Sequence, residues 1–534
     1  MSSPTISGNG CLNYQARQTE SRERPQAIDN PWLTENSSID TSSLTNYQYC
    51  GDDLSYGPSR QHQLSTPPSS LHDPLGSDDH RAGSPTSPGL GDFLESIFSL
   101  AWPDQLNRVA PTPSPRSIEP SEPDNDLSET EDPEHVQDAL VGFLSLDRNV
   151  ESNGLPFILQ AYATWFSHFT FEPLRIVHVV RNNVIRGYVL GEEYRQIMNL
   201  GANTVYEITR SAEYDPGKSS AFVMMEVIFR WRLTQAGTRV ATSRGLDRQC
   251  AIEAMLHMNQ GISLLYKVGS LSNLLGFMQL AAPIFRRACP DPLEGLVNLP
   301  NLFATKNSNL QYYSMLDVLL GVLTGRPMFF RYAVDFTPEV PESLFFLEDG
   351  PGLRWLYGVP DRLMITFAQM NGLIEDFGPR VPQQVIDELE EEIKRMEPII
   401  GFSTEPLLSV GRMVVQQCWF LAALIYLYMG LCGADSLDTR VVNVQVRFMG
   451  ILASVRPMRN PDSFLVLPMV ILGLATDNWD ERNIIRRRML AVYECARPGR
   501  VGNDLVRTLD NAWSKRRPVV WSDLRQACWG VLGV

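Results

Sequence analysis

Residues 155–190 read LPFILQAYATWFSHFTFEPLRIVHVVRNNVIRGYVL. Two consecutive helices, broken at Phe171-Glu172-Pro173, account for the pattern. In the first, Ile158, Tyr162, Trp165 and Phe169 recur at steps of four, three and four, which sets four large apolar groups on one helical face. Pro156 falls in the first turn, where its missing N–H costs nothing, and Ser152 or Asn153 stands ready as a cap. In the second, Thr170 can cap, Glu172 opposes the helix dipole and Pro173 again occupies the first turn. Leu174, Val177, Val180, Val184 and Tyr188 form its inward stripe, with Arg175, Asn182 and Arg186 outward. A hairpin this apolar needs a larger core to bury it, so the face from Tyr162 to Phe169 is expected to be packing rather than a site.

The same helical period dominates onward from Ala139. After an apolar start at Val141 to Leu146, helices are predicted over residues 221–233, 251–268, 271–287 and 312–324. A surface helix is predicted from Pro382 to Met396. Val385, Leu389, Ile393 and Met396 are its buried stripe, Glu390–Lys394 and Glu391–Arg395 its i,i+4 pairs, and Pro398 its stop. Residues 463–474, 481–493 and 503–513 complete the series, with no sustained β-alternation and no fixed-period repeat. Between Arg412 and Asp435 there is no charge. That stretch reads as a buried central helix; a membrane anchor through residues 413–434 is the alternative, reaching the roughly 20 apolar residues a span needs only by including Gln416 and Gln417. The fold class is all-α: a large irregular helical domain, residues 139–534, preceded by a long acidic segment.

That segment, residues 1–138, carries 22 acidic and 7 basic residues, a net of −15 that equals the charge of the whole chain. The remainder holds 39 of each sign (46 − 7 and 61 − 22) and has no basic excess for a phosphate backbone. Rich in Ser, Pro and acidic residues and free of lysine, the segment cannot bury enough apolar surface to offset its chain entropy, and disorder is predicted. Ser84, Ser87, Thr112 and Ser114, each before proline, are candidate phosphorylation sites, as is the acidic run from Ser128 to Asp132. One island, residues 91–106, interleaves Phe93, Leu94, Ile97, Phe98 and Trp102 with Asp92, Glu95 and Asp104. This is the pattern of activation segments that fold as a short helix in a partner's groove. Docking on the chain's own core is the competing reading.

Eight cysteines are scattered without a CxxC pair, and the 7 histidines are equally dispersed, so no zinc spacing is present. Reduced, buried thiols in a nuclear or cytosolic compartment fit this usage. No secretory signal, nucleophile elbow, HExxH, Walker loop or GxGxxG occurs. The carboxylates of Asp387 to Glu392 belong to a solvated helix face. His168, His178 and His257 read as packed or surface residues. The runs Arg486-Arg487-Arg488 and Lys515-Arg516-Arg517 are weak import signals; the first is expected to be a solvated face, with Ile484, Ile485, Met489 and Leu490 turned inward. No catalytic residue, metal site or cofactor is expected.

Several stretches together resemble the fungal-specific transcription factor domain, the helical regulatory region of zinc-cluster transcription factors. They are Phe169-Thr-Phe-Glu-Pro-Leu174, with Phe171, Glu172, Pro173 and Leu174; Asp291 to Pro300; and Met315 to Tyr332, with Asp317 and the Gly325-Arg326-Pro327 turn. Trp513 to Val534 resembles the family's C-terminal end. The resemblance runs from about Leu140 to Val534. Beside it stands a physical reading: Leu316 to Leu323 packs, Gly325-Arg326-Pro327 ends the helix, and Phe329, Phe330 and Tyr332 follow as a docked extended segment, with a groove beside Arg326 and Arg331 conceivable.

The six-cysteine zinc module of such proteins is not in this sequence, where Cys11 and Cys50 are the N-terminal cysteines and Lys218 is the first lysine. Direct DNA recognition therefore does not carry over: the protein acts through partners, or the sequence begins downstream of a missed exon. The resemblance implies a nuclear regulator or co-regulator that meets the transcription machinery or a DNA-binding partner protein, with homo- or hetero-dimerisation open. The rival is a helical ligand-binding or enzymatic domain with a solubilising tail.

Overall fold

The computed structural model describes residue 132, residues 134–140 and residues 154–533 apart from 212–213, 240, 402, 404 and 516. The 91–106 island, the candidate phosphorylation sites up to Glu131, the Val141–Leu146 run and the cap candidates Ser152 and Asn153 lie outside the described residues. The architecture is all-helical. Extended structure among the described residues is a two-residue parallel pair, β1 (Val297–Asn298) with β2 (Tyr332–Ala333), and one isolated bridge.

Two apolar cores organise the helices. The smaller gathers α1 (Val136–Leu140), α2 (Gly154–Phe169), α3 (Val177–Val189) and α4 (Glu192–Arg210) around Ile158, Leu159, Ala163 and Ala202. The larger starts with α5 (Ser220–Thr238), α6 (Arg244–Val268) and α7 (Leu271–Ala288). Ser219, Ser243 and Ser270 cap these three, each hydroxyl accepting from the amide three residues on, which satisfies a donor the helix itself cannot. Helices α6 and α7 approach closely at Gly261, where an added Cβ would sit 2.5 Å from the Phe277 ring.

The short α8 (Leu299–Ala304) leads into α9 (Ser308–Thr324), which is buried on every side from Leu310 to its end. Beyond it come α10 (Arg354–Tyr357), α11 (Asp361–Phe377), α12 (Gln383–Arg395) and α13 (Pro406–Tyr426), the last continuing through a π turn to Leu431. Pro406–Leu431 is long and apolar enough to cross a membrane, yet 94% of its most apolar window is buried inside the protein. Gln416 fits that interior because its amide donates to and accepts from the Ile399 backbone, both at 2.8 Å. The chain closes with α14 (Thr439–Ser454), α15 (Arg459–Ala475), α16 (Trp479–Ala491), α17 (Tyr493–Ala496), α18 (Val501–Trp513) and α19 (Trp521–Leu532).

Several local expectations are corrected. On α2, Ile158 and Phe169 are buried, but Tyr162 and Trp165 between them are only half-buried, because the helix buries its N-terminal end on several sides and skims the main core at its other end. Pro173 opens a separate 3-10 turn, Pro173–Arg175, and α3 starts after it at Val177 without a side-chain cap; the Thr170 hydroxyl is buried with no partner. On α12, Ile386 takes the buried place expected for Val385, and Arg395 donates to the Glu391 backbone carbonyl rather than its carboxylate. Glu390–Lys394 is formed. Arg488 is buried rather than solvated, while Ile484 is exposed. Glu134 and Val136, N-terminal to residue 139, are buried against the helical domain.

Candidate functional site

The predicted landmark residues fall into two polar clusters, each built around a buried carboxylate. Asp317 sits in the middle of α9, where an otherwise apolar run carries one acidic side chain into full burial. Gly325, at φ +63°, ends α9 in the left-handed conformation, its amide donating to the Gly321 carbonyl, and the chain doubles back along the helix. Asp317 then accepts from the Phe329 amide at 2.7 Å, the Phe330 amide at 3.1 Å and the Tyr332 hydroxyl at 3.0 Å. Arg326 completes the set at 3.2 Å, its guanidinium stacked 4.2 Å from the centre of the Phe329 ring. Burial pushes the Asp317 carboxyl above its ordinary range, against the pull of Arg326 and the other donors. The Tyr332 hydroxyl, pushed well up by burial and next by Asp317, stays a donor.

The return segment is therefore fastened to α9, and Tyr332 pairs with Val297 across the two short strands. The aromatic segment is docked as expected, and Arg326 and Arg331 beside it are both engaged in ion pairs. Arg331 meets Asp376 at 2.6 Å and Glu375 at 3.9 Å.

The second cluster gathers Phe171, Glu172 and Pro173, all buried, with Leu174 half-buried beside them. Glu172 does not serve the helix dipole. Its carboxylate lies 3.4 Å from Arg354 and 3.7 Å from Arg175, and its amide donates to the Trp355 carbonyl at 2.8 Å. Phe171 packs edge-on to Phe464, and its carbonyl accepts from Arg412 Nε at 2.7 Å. Arg412 in turn pairs with Glu134, holding the N-terminal strap of the described chain against α13. Nearby, Asp361 accepts the Leu353 and Arg354 amides, and burial raises its carboxyl to about 6. Arg354, Arg412, Glu134 and Asp361 were not singled out by sequence. A lone charge inside an apolar run, as in Leu353-Arg354-Trp355-Leu356, is the signal that marks such residues.

Neither cluster brings a nucleophile beside a base. The Cys289, Cys418 and Cys495 thiols are pushed up to about 12 by burial and stay protonated. His257 is held down to about 4 by burial and the neighbouring Arg232. Among the described residues no group of three or more His, Cys, Asp or Glu is placed to hold a metal ion.

The concave feature of interest lies elsewhere, between α14 and α16. It is a cleft of about 400 Å³ lined by Met449, Leu452, Ala453, Val455, Pro457, Ile484, Arg487, Arg488 and Ala491. The two helices run side by side, with Gln445 hydrogen-bonded to Glu481 at 2.8 Å and Arg488 donating to the Leu452 carbonyl. Below the cleft Arg488 grips Asp462 with two bonds of 2.7 and 2.8 Å, leaving Ile484 and Arg487 facing out. The activation-segment candidates Phe93, Leu94, Ile97, Phe98 and Trp102 lie outside the described residues.

The fungal specific transcription factor domain model matches residues 254–532. The match covers the Asp317 turn and the α14–α16 cleft and begins within α6, downstream of the Phe171–Leu174 landmark. No curated protein and no solved structure matches the chain. With more than half of its length matched, the chain belongs to the fungal-specific transcription factor domain family.

Proposed function

We propose that the protein regulates transcription through residues 1–138 as an acidic activation segment, with the helical domain as its regulatory and interaction scaffold. The coarse role follows from the family: a fungal transcription factor domain is a part of transcription regulators, which work in the nucleus. The match over residues 254–532 is the observation that carries the reading. Two features support the finer assignment. All of the chain's net charge lies in residues 1–138, and within 91–106 acidic residues are interleaved with aromatic and aliphatic ones. In the helical domain, the buried charges Asp317, Glu172 and Asp462 all serve internal arginine pairs.

In this reading no residue of the sequence contacts DNA and none is catalytic. Phe93, Leu94, Ile97, Phe98 and Trp102 engage the transcription machinery, and target choice belongs to a DNA-binding partner protein. Residues 1–138 fused to an unrelated DNA-binding module should activate a reporter, and Phe98→Ala with Trp102→Ala should abolish that activation. A silent unmutated fusion rejects the activation assignment.

A further inference from the structure

We propose that the cleft between α14 and α16 is the docking site, in cis, of the chain's own segment Asp92 to Asp104. This rests on that segment being an interaction helix, as the proposed function has it, and makes cis docking and engagement of the transcription machinery mutually exclusive, alternating uses of one apolar face. The receiving surface has the right form. On α14, Val442, Val446, Met449 and Ala453 follow one another at steps of four, three and four, one stripe along one face. Val442 and Val446 are 36% and 58% exposed, and Ile484 on the facing α16 is 42% exposed. A mostly apolar groove between two helices, here bridged at Gln445–Glu481 and at Arg488–Leu452, is what an amphipathic helix fills. In the segment, Phe93, Leu94, Ile97 and Phe98 share one helical face, with Trp102 one turn beyond.

The charges agree. Arg456 and Arg487 are exposed at the rim, and among the described residues neither pairs with a carboxylate. They would meet Asp92 and Glu95, which flank the apolar face of the segment, and Asp104, which follows it after Pro103.

The chain's point of entry also agrees. The described residues begin at Asp132, and Glu134 is pinned to Arg412 and Ser403. Gly411, beside Arg412, faces the first turn of α15, where a Cβ would lie 3.6 Å from Pro461. Pro457, at the end of the cleft, is four residues earlier in the chain, at most about 14 Å away. From Asp104 to Asp132 is 132 − 104 = 28 residues, a length that can reach at most about 100 Å. The segment is thus tethered within reach of the cleft at an effective concentration of order millimolar, enough for even a weak helix-in-groove contact to be occupied. Other exposed apolar side chains are Val223, Met224, Val227 and Trp231 on α5 and, beside the point of entry, Leu407 and Val410 on α13, whose single helix face offers no second wall to make a groove.

The test uses the full chain with a photo-crosslinking phenylalanine analogue in place of Phe98. Cross-links should fall on residues 442–457 and 484–491, with a yield independent of protein concentration. Val446→Asp with Ile484→Asp, both at exposed positions, should cut that yield about tenfold, a shift of about 1.4 kcal/mol, while the melting temperature stays put. Cross-links on α5, cross-links scattered over the surface, or a yield that rises with concentration and joins separate chains in mixed-isotope samples would each overturn cis docking. The reporter fusion of residues 1–138 separates the two claims. Activation without cleft cross-links rejects the docking alone, and cleft cross-links with a silent fusion reject the activation assignment alone.

Discussion

Arg488 on α16 reaches under its own helix to grip Asp462 on α15 through two hydrogen bonds, the side chains 5% and 3% exposed. The bidentate geometry fixes the floor beneath the α14–α16 cleft, because the same guanidinium donates to the Leu452 carbonyl of α14. Removing one member leaves the other charge buried without its counterion. Asp462→Leu and Arg488→Met are each expected to cost about 3–5 kcal/mol, and the double variant that combines them less than either single. Urea denaturation of the four proteins in a cycle reads this directly. A double variant as damaged as the sum of its singles would mean that the pair does not act as a unit.

Asp317 is fastened to four donors from one short return segment, so its loss should open that segment before it unfolds the domain. Asp317→Ala strands the half-buried Phe329 and Phe330 amides and the buried Tyr332 hydroxyl, a cost of about 3–5 kcal/mol. Tyr332→Phe removes one hydrogen bond to a charged acceptor and should cost about 1.5–3 kcal/mol. Limited trypsin digestion gives the sharper readout. Cleavage after Arg331 should accelerate strongly in Asp317→Ala and little in Tyr332→Phe, and equal protection in all three proteins would show that the turn is held by other contacts.

The residues that could be read in advance were those whose role is local. The largely apolar run of α9, the stop at Gly325 and the amphipathic α12 follow from period, propensity and the turn glycine, all properties of neighbouring residues. What could not be read was the assignment of each charge to a partner. Glu172 looks like a first-turn residue set against a helix dipole, yet it pairs with Arg354, 182 positions away, and Arg412 finds Glu134 across 278. Three consecutive arginines at 486–488 look alike on paper, but the helical turn directs Arg488 inward onto a carboxylate on another helix. Local pattern marks a buried charge only by its isolation among apolar neighbours. The partner comes from topology.

His257 should make the protein sensitive to mild acid. Buried on α6, its ring is stacked 5.8 Å from Phe229, beside Arg232, and its folded pKa of about 4 lies below the ordinary value of 6.5. The folded state thus binds the proton less readily than the unfolded chain. The stability this group supplies is present above about pH 6.5 and is lost as pH falls through 6.5 toward 4, up to about 3 kcal/mol at roughly 1.4 kcal/mol per unit. Asp361 opposes it. Its carboxyl is raised to about 6, so it contributes stability at low pH that is lost as pH rises toward that value. Comparing His257→Leu with the parent chain across pH 4–7 cancels the Asp361 term, and the difference should shrink steadily toward low pH. A pH-independent difference would mean that His257 titrates normally in the fold.

The helix that opens the fold, α2, carries two aromatic residues that sequence treats as equals and structure does not. Phe169 is 5% exposed, its ring 4.6 Å from the buried Lys267 ammonium and 5.4 Å from the half-buried Arg459 guanidinium, so it joins the main core to two cations. Burial brings Lys267 down to about 8, with Glu494 holding it charged at neutral pH. Trp165 lies tilted against Phe169 at 4.5 Å and remains half-buried. Phe169→Ala should therefore cost about 3–5 kcal/mol, while Trp165→Ala, whose side chain is partly in water, should cost only about 2 kcal/mol. Denaturation midpoints of the two variants decide the matter. A Trp165 variant as unstable as the Phe169 variant would place the whole Tyr162–Phe169 face in the core, whereas one that keeps its stability and loses transcriptional activity would make that face an interaction surface.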